Sequence, residues 1–184
     1  MMWTLDTVAA AVGGVAVGNA AITSVAIDSR RVGPGALFVA LRGDRVDGHE
    51  FIASALTAGA VAALVGPGRL PDGVAGVEVA DPVAALAALA AQRRRELNVP
   101  VIAVTGSTGK TTTKDLIAGV IGPGVHAAPS SYNNELGVPL TILGCPDEAT
   151  AMVVEVGSRG LGHIASLGEV IRPDVAVITN VGPA

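Results

Sequence analysis

The sequence is poor in aromatic residues and in positive charge. Aromatic side chains make up 2% of its 184 residues, and 12 Lys and Arg against 16 Asp and Glu give a formal net charge of −4. Binding of single-stranded nucleic acid relies on stacking against aromatic side chains, and binding of any long polyanion relies on a basic surface. The composition therefore argues against nucleic acid as a partner. Phosphate binding has to be local, at one loop or a few side chains.

Cysteine and long apolar runs are also scarce. Cys145 is the sole cysteine, which excludes an internal disulfide and fits a reducing compartment. Mean hydropathy is +0.56, but the longest apolar stretch, residues 51–65, is interrupted by polar residues and is shorter than the ~20 residues that span a bilayer. The N-terminus has Asp6 and no Lys or Arg, unlike a secretory signal. We therefore expect a soluble cytoplasmic protein without membrane insertion.

Helix-like and strand-like segments follow one another in the first part of the chain. A long helix is predicted from Asp81, because Asp is a good N-cap and Pro82 suits the first helical position. It ends near Leu97 in the cluster Arg93-Arg94-Arg95, which either binds an anion or simply complements the helix C-terminus, the interpretation we favour. The segments predicted before it are helices at 5–12 and 49–58, and strands at 22–28, 36–41, 62–65 and 74–79.

After residue 98 the alternation becomes more regular. The predicted strands are apolar along their whole length, which indicates a mostly parallel sheet covered by helices on both faces. We therefore predict an α/β protein with two domains, a small α/β domain at residues 1–98 and a P-loop-type domain with a mostly parallel sheet at 99–184. The strands expected in the second domain lie at 101–105, 125–128, 151–155 and 175–181, and its helices at 110–121 and 164–171.

The strongest motif is a glycine-containing loop between a buried strand and a helix. It reads Gly106-Ser107-Thr108-Gly109-Lys110-Thr111-Thr112. Glycines let backbone N–H groups point into a concavity, and the helix N-terminus behind them favours an anion. Lys110 would reach the terminal phosphates of a nucleotide, and the Thr111 hydroxyl would hold Mg²⁺. Position 104 is Val, so the loop is a short form that begins at Gly106.

Two further places hold polar residues that could act with this loop. Glu155 ends an apolar strand, where a carboxylate can bind Mg²⁺ directly or through water; the alternative is a solvated residue at a strand end. Asn133 and Asn134 lie in the crossover segment 131–139 between two strands. Taken alone, these amides are more typical of a cap on the next helix. His49 and His163 lack partners at metal-ligand spacing. His126 lies in a predicted strand, where we expect a packed or exposed residue and not a catalytic one.

Together these segments resemble the ATP-dependent Mur ligases. The resemblance rests on four ordered motifs and one N-terminal block, so it covers nearly the whole chain. The motifs are TGSTGKTTTKD (105–115), YNNELGVPLT (132–141), EVGSRGLGHI (155–164) and PDVAVITNVGPA (173–184), and the block is AIDSRRVGPGALFVALRGDRVDGHEFI (26–52).

Within that family the motifs most resemble the member that adds D-alanyl-D-alanine to UDP-N-acetylmuramoyl-tripeptide. The member that adds the third peptide residue usually has TNGKTT and a Thr-containing motif in place of YNNE. Another alternative in the same superfamily is an amide ligase of the folate or cyanophycin type. Folate enzymes lack a UDP-binding first domain, so the block at residues 26–52 argues against that type. A truncated module that binds UDP-muramoyl-peptide or ATP without catalysis is a further alternative.

The resemblance implies a role for each matching residue. Residues 1–98 would bind the UDP substrate and residues 99–184 would bind ATP with Mg²⁺. Lys110, Glu155 and Asn134 would be catalytic, and Thr111 and Glu155 would bind the metal. Substrate contacts would come from Ser29, Arg30, Gly48, His49, Asn133, Asn134, Ser158 and Arg159.

The resemblance also predicts what the chain lacks. Family members continue after a segment like 180–184 with a His, later a carbamoylated Lys, and a third domain. We therefore expect a fragment that lacks turnover by itself and leaves an exposed edge on its second sheet.

Overall fold

The computed structural model describes residues 1–43, 45–129 and 132–182. They form two compact units, Met1–Leu89 and Ala90–Ala184, each with its own β-sheet. Ser131 of the crossover segment 131–139 (the amide-containing segment) and Pro183 and Ala184 of the last motif lie outside the described residues, as do Asp44 and Ser130.

The division between the units falls inside helix α3 (Pro82–Glu96), whereas the sequence pattern suggested a boundary near residue 99. The last turns of this helix belong to the second unit and bond within it, since Arg93 donates to the Cys145 carbonyl at 2.6 Å and Arg94 to the Ile171 carbonyl at 2.9 Å. Its predicted start is confirmed, because the Asp81 carboxylate accepts from the backbone N–H groups of Val83 and Ala84.

The first unit is built on a five-stranded sheet in the order β2-β7-β6-β5-β4. All neighbouring strands are parallel except β2, which is antiparallel to β7. A short antiparallel pair, β1 with β3, stands apart from this sheet. The strands are β1 (Trp3–Thr4), β2 (Val15–Val17), β3 (Ala21–Ile22), β4 (Ser24–Ala26), β5 (Ala36–Val39), β6 (Ala60–Val65) and β7 (Gly76–Glu78).

Helices α1 (Leu5–Val12) and α2 (Ile52–Thr57) and two 3-10 turns, Ser29–Arg31 and Gly48–Phe51, complete the first unit. Helix α1 ends where Gly13 takes a φ of 64°, a conformation that favours glycine. The segment 49–58, predicted as one helix, begins as the 3-10 turn Gly48–Phe51 and continues as α2. One apolar cluster joins strands and helix, and its buried members include Phe38, Ala40, Ile52, Ala55, Ala63 and Val65.

The second unit is a four-stranded parallel sheet in the order β11-β8-β10-β9. This confirms the predicted α/β class with mostly parallel strands. The strands are β8 (Val101–Thr105), β9 (Val125–Ala127), β10 (Ala151–Glu155) and β11 (Val175–Ile178), and the helices are α4 (Lys110–Ile121), α5 (Gly137–Leu143) and α6 (His163–Ile171).

The register of this sheet brings the polar segments to one edge. Glu155 on β10 is level with Val104 on β8, and Ile178 on β11 is level with Thr105. Because all four strands run in the same direction, the loops that follow them emerge together at the carboxyl edge. The phosphate loop, the amide-containing segment and the residues after β10 and β11 thus converge there.

Predicted strands 36–41, 74–79 and 125–128 are one to three residues shorter in the structure, and two further strands are shorter for identifiable reasons. Of residues 22–28, Ile22 pairs with Trp3 in the separate two-stranded pair, and only Ser24–Ala26 joins the main sheet. Of residues 175–181, Val175–Ile178 is a strand, because the chain then turns onto the phosphate loop. Among the described residues, no helix is both long and apolar enough to cross a membrane.

Candidate nucleotide-phosphate site

The glycine-containing loop connects β8 to α4 as the sequence predicts. Gly106 and Gly109 have φ angles of 138° and 79°, in the left-handed region that favours glycine. A Cβ atom on Gly106 would lie 2.1 Å from the Thr179 hydroxyl. Glycine at this position is therefore required both by its backbone conformation and by close packing.

The start of helix α4 presents open hydrogen-bond donors. The Thr113 N–H bonds to the Gly109 carbonyl at 2.9 Å, which closes the first helical turn. The N–H groups of Gly109, Lys110, Thr111 and Thr112 have no acceptor among the described residues. Four unsatisfied N–H groups at a helix N-terminus make a seat for an anion such as phosphate.

The Lys110 ammonium group lies over the loop. Its Nζ donates to the Gly106 carbonyl at 2.6 Å and to the Ser107 carbonyl at 3.2 Å. An ammonium group has three donors, so one remains for a phosphate oxygen. Lys110 thus stabilises the loop and keeps a charge-assisted donor beside the helix N-terminus.

Glu155 is at the centre of a short polar chain. Its Oε2 accepts from the Thr111 hydroxyl at 2.8 Å, and its Oε1 accepts from Asn133 Nδ2 at 2.8 Å. The residue is only 3% exposed, which excludes the alternative of a solvated strand end. No ion pair with Glu155 occurs in the described part of the chain, although a buried carboxylate normally has a cationic partner.

These residues fit a magnesium ion. Hydroxyl and carboxylate oxygens are hard ligands, and Mg²⁺ in nucleotide sites typically takes one or two carboxylates, with phosphates and water completing its shell. The described residues contain no cluster of three or more His, Cys, Asp or Glu side chains that could enclose a metal by themselves. Thr111 and Glu155 therefore suit an ion that arrives with a nucleotide.

The two adjacent asparagines have different partners. Asn133 reaches Glu155, as described above. Asn134 Oδ1 accepts from the N–H groups of Leu136 and Gly137 at 3.2 and 2.8 Å, at the start of α5. The capping interpretation thus describes Asn134 and not Asn133. The Nδ2 group of Asn134 has no acceptor in the described residues, and its predicted catalytic role stays a prediction.

The loop after β10 is joined to the amide-containing segment. Arg159 Nη1 pairs with Glu135 Oε1 at 2.7 Å, and the Arg159 N–H donates to His163 Nδ1 at 3.1 Å. The other Glu135 oxygen is buried without a hydrogen bond, 3.6 Å from His163 Nε2. Ser158 bonds weakly within its own loop, to the Gly160 carbonyl at 3.4 Å. Ser158 and Arg159 thus lie at the rim of the site as exposed residues.

In the first unit, Arg30 is engaged by its neighbour Asp28. Arg30 Nε and Nη2 donate to the two Asp28 carboxylate oxygens at 2.9 and 2.7 Å, and its N–H donates at 3.0 Å. These bonds lower the pKa of Asp28 from 3.8 to about 2. Ser29 begins the 3-10 turn that Asp28 caps. A substrate that bonds to the Arg30 guanidinium group therefore has to compete with Asp28 or use the remaining N–H donors.

Gly48 and His49 hold a second turn together. A Cβ on Gly48 would lie 2.5 Å from the Leu41 carbonyl oxygen, so only glycine fits. His49 Nδ1 donates to Asp47 at 2.5 Å, and His49 Nε2 accepts from the Gly66 N–H at 3.3 Å. The bond to His49 holds the pKa of Asp47 well below its usual range. The His49 side chain is 10% exposed, and both of its ring nitrogens are already hydrogen-bonded within the protein.

The arginine cluster at the end of α3 has structural partners. Arg93 is 2% exposed and pairs with Asp147 at 2.6 Å, and this bond lowers the pKa of Asp147. Arg94 donates to the Ile171 and Arg172 carbonyls at 2.9 and 3.0 Å, and Arg95 to Gln92 at 2.7 Å. The preferred structural interpretation therefore holds for this cluster.

Comparison with known proteins agrees with this geometry. The Mur ligase middle domain matches residues 104–184, and the domain described as "Mur ligase family, catalytic domain" matches residues 21–94. The chain belongs to the Mur ligase family, as the sequence motifs indicated.

Curated proteins named UDP-N-acetylmuramoyl-tripeptide–D-alanyl-D-alanine ligase are among the relatives of this chain. The chain is 44% identical to that of Synechocystis sp. over 167 residues, and 36% identical to that of Escherichia coli over 166. Each match covers 89% of this chain but only 37% and 36% of the relative. The chain thus spans little more than a third of the relatives' length.

Solved structures give the same result. The fold matches MurF from Acinetobacter baumannii with a TM-score of 0.90 at 32% identity, over 100% of this chain and 42% of that one. It matches MurF ligase from Thermotoga maritima in complex with ADP with a TM-score of 0.77 at 36% identity, over 88% of this chain and 38% of that one.

Proposed function

We propose that this chain supplies the substrate-binding and phosphate-binding parts of an ATP-dependent ligase that adds D-alanyl-D-alanine to UDP-N-acetylmuramoyl-tripeptide in peptidoglycan precursor synthesis. Residues 1–98 would bind the UDP substrate, and residues 99–184 would bind ATP. The observation on which this rests is the arrangement of Lys110, Thr111, Glu155 and Asn133 around the open N-terminus of α4.

The choice of D-alanyl-D-alanine rests on the relatives. Those at 36% to 44% identity are named for this activity. A ligase named for adding 2,6-diaminopimelate to UDP-N-acetylmuramoyl-L-alanyl-D-glutamate matches with a TM-score of 0.59 at 19% identity, a likeness that concerns the fold alone. This difference favours the D-alanyl-D-alanine reaction over the addition of the third residue.

The first step would be transfer of a phosphoryl group. A terminal carboxylate oxygen of the tripeptide attacks the γ-phosphorus of ATP, ADP leaves, and an acyl phosphate forms. Such transfer depends mainly on positioning and on neutralising charge. The free N–H groups from Gly109 to Thr112 would hold the phosphates, and the third Lys110 donor would stabilise the transferring group. Mg²⁺ bound by Thr111 and Glu155 would neutralise phosphate charge.

The second step would form the new amide. The amine of D-alanyl-D-alanine attacks the acyl carbon, inorganic phosphate leaves, and the nitrogen loses a proton. Asn134 Nδ2, which is open at the carboxyl edge of the sheet, would orient the reacting carboxylate together with Asn133. Ser158 and Arg159 would contact the muramoyl-peptide from the rim.

The UDP portion of the substrate would be bound by the first unit. Ser29 and Arg30 lie on one 3-10 turn and Gly48 and His49 on the other. Because His49 is occupied by Asp47 and Gly66, we expect it to act by fixing the Gly48 turn, with the backbone and Ser29 making direct contacts. A reaction that consumes two intracellular nucleotides would take place in the cytoplasm.

The test uses the complete product of the gene that encodes this chain. Phosphate release is measured with ATP, UDP-muramoyl-tripeptide and D-alanyl-D-alanine, leaving out one substrate at a time. Release that requires all three supports the proposal. In Lys110→Ala we expect release to fall to background with UDP-substrate binding unchanged, because Lys110 lies in the ATP unit.

Two control reactions separate the alternatives. Release with UDP-muramoyl-dipeptide and lysine or diaminopimelate, and none with D-alanyl-D-alanine, would favour the third-residue ligase. Binding of both nucleotides without any release would favour the non-catalytic binding module. Full ligation by Lys110→Ala would contradict the assigned phosphate loop.

A further inference from the structure

The residues that follow strand β11 hold the phosphate loop from its outer side. The Ser107 N–H donates to the Asn180 carbonyl at 3.1 Å, and the Ser107 hydroxyl accepts from the Gly182 N–H at 2.9 Å. The first half of the loop thus bonds to a segment more than seventy positions further along the chain. The partners in these contacts, Asn180 and Gly182, lie outside the phosphate-binding motif at residues 106–112.

Thr108 is held even more completely. Its N–H donates to Asn180 Oδ1 at 2.9 Å, and its hydroxyl accepts from Asn180 Nδ2 at 2.9 Å. The Thr179 hydroxyl donates to the Thr108 carbonyl at 2.6 Å. One segment therefore binds the backbone donor, the backbone acceptor and the side chain of Thr108.

Close packing reinforces these bonds. A Cβ on Gly106 would meet the Thr179 hydroxyl at 2.1 Å and the Asn180 backbone at 2.9 and 3.0 Å. The loop can lie this close only because Gly106 has no side chain, so its path follows the Thr179–Asn180 backbone.

The N–H groups of the loop fall into two sets, one bonded within the protein and one open. Those of Ser107 and Thr108 bond to Asn180, whereas those from Gly109 to Thr112 are open. We propose that Asn180, with Thr179, is a positioning residue for phosphate binding: it fixes the Ser107 and Thr108 peptides so that the next four N–H groups face the phosphates. This role goes beyond the proposed function but rests on it, since ATP is taken as the ligand.

The expected effect is on preorganisation. A loop without these bonds has several conformations, and binding then has to select one, which weakens affinity. We expect Asn180→Ala and Thr179→Val each to weaken Mg-ATP binding about tenfold, which corresponds to one or two groups newly ordered on binding. Thr179→Ser keeps the hydroxyl and should bind like the wild type.

The test measures two quantities on the 184-residue chain and its variants. Calorimetric titration with Mg-ATP gives the affinity, and amide hydrogen exchange by NMR gives the protection of the Thr108 N–H. Asn180→Ala should bind Mg-ATP about tenfold more weakly and lose protection of the Thr108 N–H, with its thermal unfolding midpoint nearly unchanged. ATP should shift the amide signals of residues 109–112 and leave Thr108 protected in the wild type.

The outcomes separate this inference from the proposed function. If the wild type does not bind Mg-ATP, the proposed function is contradicted and this inference with it. If the wild type binds and Asn180→Ala binds equally well, only the positioning role is overturned. Should Asn180→Ala fail to fold, the Thr179 variants decide, and equal ATP affinities of Thr179→Val and Thr179→Ser would overturn the inference.

Discussion

At the residue scale, Glu155 combines deep burial with neutral partners. It is 3% exposed, and Thr111 and Asn133 donate to its two oxygens. Hydrogen bonds from a hydroxyl and an amide stabilise a carboxylate less than a cation does. A buried carboxylate without a cationic partner is suited to bind a metal ion that arrives together with the nucleotide phosphates.

Replacing Glu155 by Gln should remove the benefit of Mg²⁺ for ATP binding. The amide keeps the size of the side chain but not its charge. We expect the affinity for ATP in Mg²⁺ to fall by at least about tenfold, while the affinity in EDTA stays the same. Calorimetric titration in both buffers measures this difference, with Thr111→Ser as the control that keeps the hydroxyl ligand. A full magnesium effect in Glu155→Gln would rule out the metal role.

His126 should make the stability of the fold depend on pH. Burial lowers its pKa below 6.5, and its Nε2 bonds to the Thr141 carbonyl at 2.8 Å. The unfolded chain takes up the proton at a higher pH than the folded chain does. Stability is therefore complete above about pH 6.5 and decreases as the pH falls toward the lower folded pKa.

We expect His126→Gln to flatten this dependence. The free energy of unfolding, measured by urea at about pH 7.5 and about pH 5.5, should fall less in the variant than in the wild type. His163→Gln, a substitution at another partly buried histidine of the same unit, serves as the comparison. Identical pH dependence in His126→Gln and the wild type would show that His126 is not responsible.

At the element scale, continuous apolar strands were the most predictable part of the fold. Strands β8 and β10 and helix α4 have the predicted bounds, because each strand is apolar throughout and the helix follows a glycine loop directly. Strands β1, β2 and β3 were unpredicted as separate elements, since two or three residues show no periodicity. The bounds of helix α5 were not predicted either. Gly137 disfavours a helix locally, and the burial of six of the seven helical residues stabilises it instead.

In the candidate site too, only features with a local sequence pattern could be predicted. Lys110, Thr111 and Glu155 are recognisable because each has a characteristic place relative to a strand end. The contacts of Thr179 and Asn180 with Thr108 depend on β11 lying beside β8, which no local pattern indicates. A Thr-Asn pair directly after an apolar strand was the one available signal, and it gives no partner. Asn133 and Asn134 were correctly placed in one loop, but only the structure separates their partners.

Strand β11 should promote self-association. It lies at an edge of the described sheet, and Val175 and Ile178 are 53% and 64% exposed. Exposed apolar edge strands pair with other chains. We expect Val175→Lys, at the end of β11 away from the phosphate loop, to reduce concentration-dependent association in sedimentation experiments.

Val120→Lys is the matched control for this prediction. Val120 is 87% exposed and equally apolar, but it lies on helix α4. If association falls equally in both variants, general surface hydrophobicity explains it and the strand edge does not.

At the scale of the whole molecule, each of the two units has a different proposed binding function. The second unit contains the glycine-containing phosphate loop and the proposed metal ligands, and the first contains the proposed UDP contacts. The chain spans 37% of the length of the Synechocystis ligase. We therefore expect the 184-residue polypeptide to bind nucleotide but to release no phosphate with all three substrates. Turnover at the rate of the complete gene product would contradict this expectation.

The loop from Gly106 to Thr112 is proposed to be a Mg-ATP site that depends on Lys110, and direct titration tests this claim. Mg-ATP is titrated into the 184-residue chain and into Lys110→Ala, with thermal unfolding used to show that both are folded. We predict saturable binding at one site in the wild type and loss of that binding in the variant. Equal binding by the two folded proteins, or no binding by the wild type, would contradict the claim.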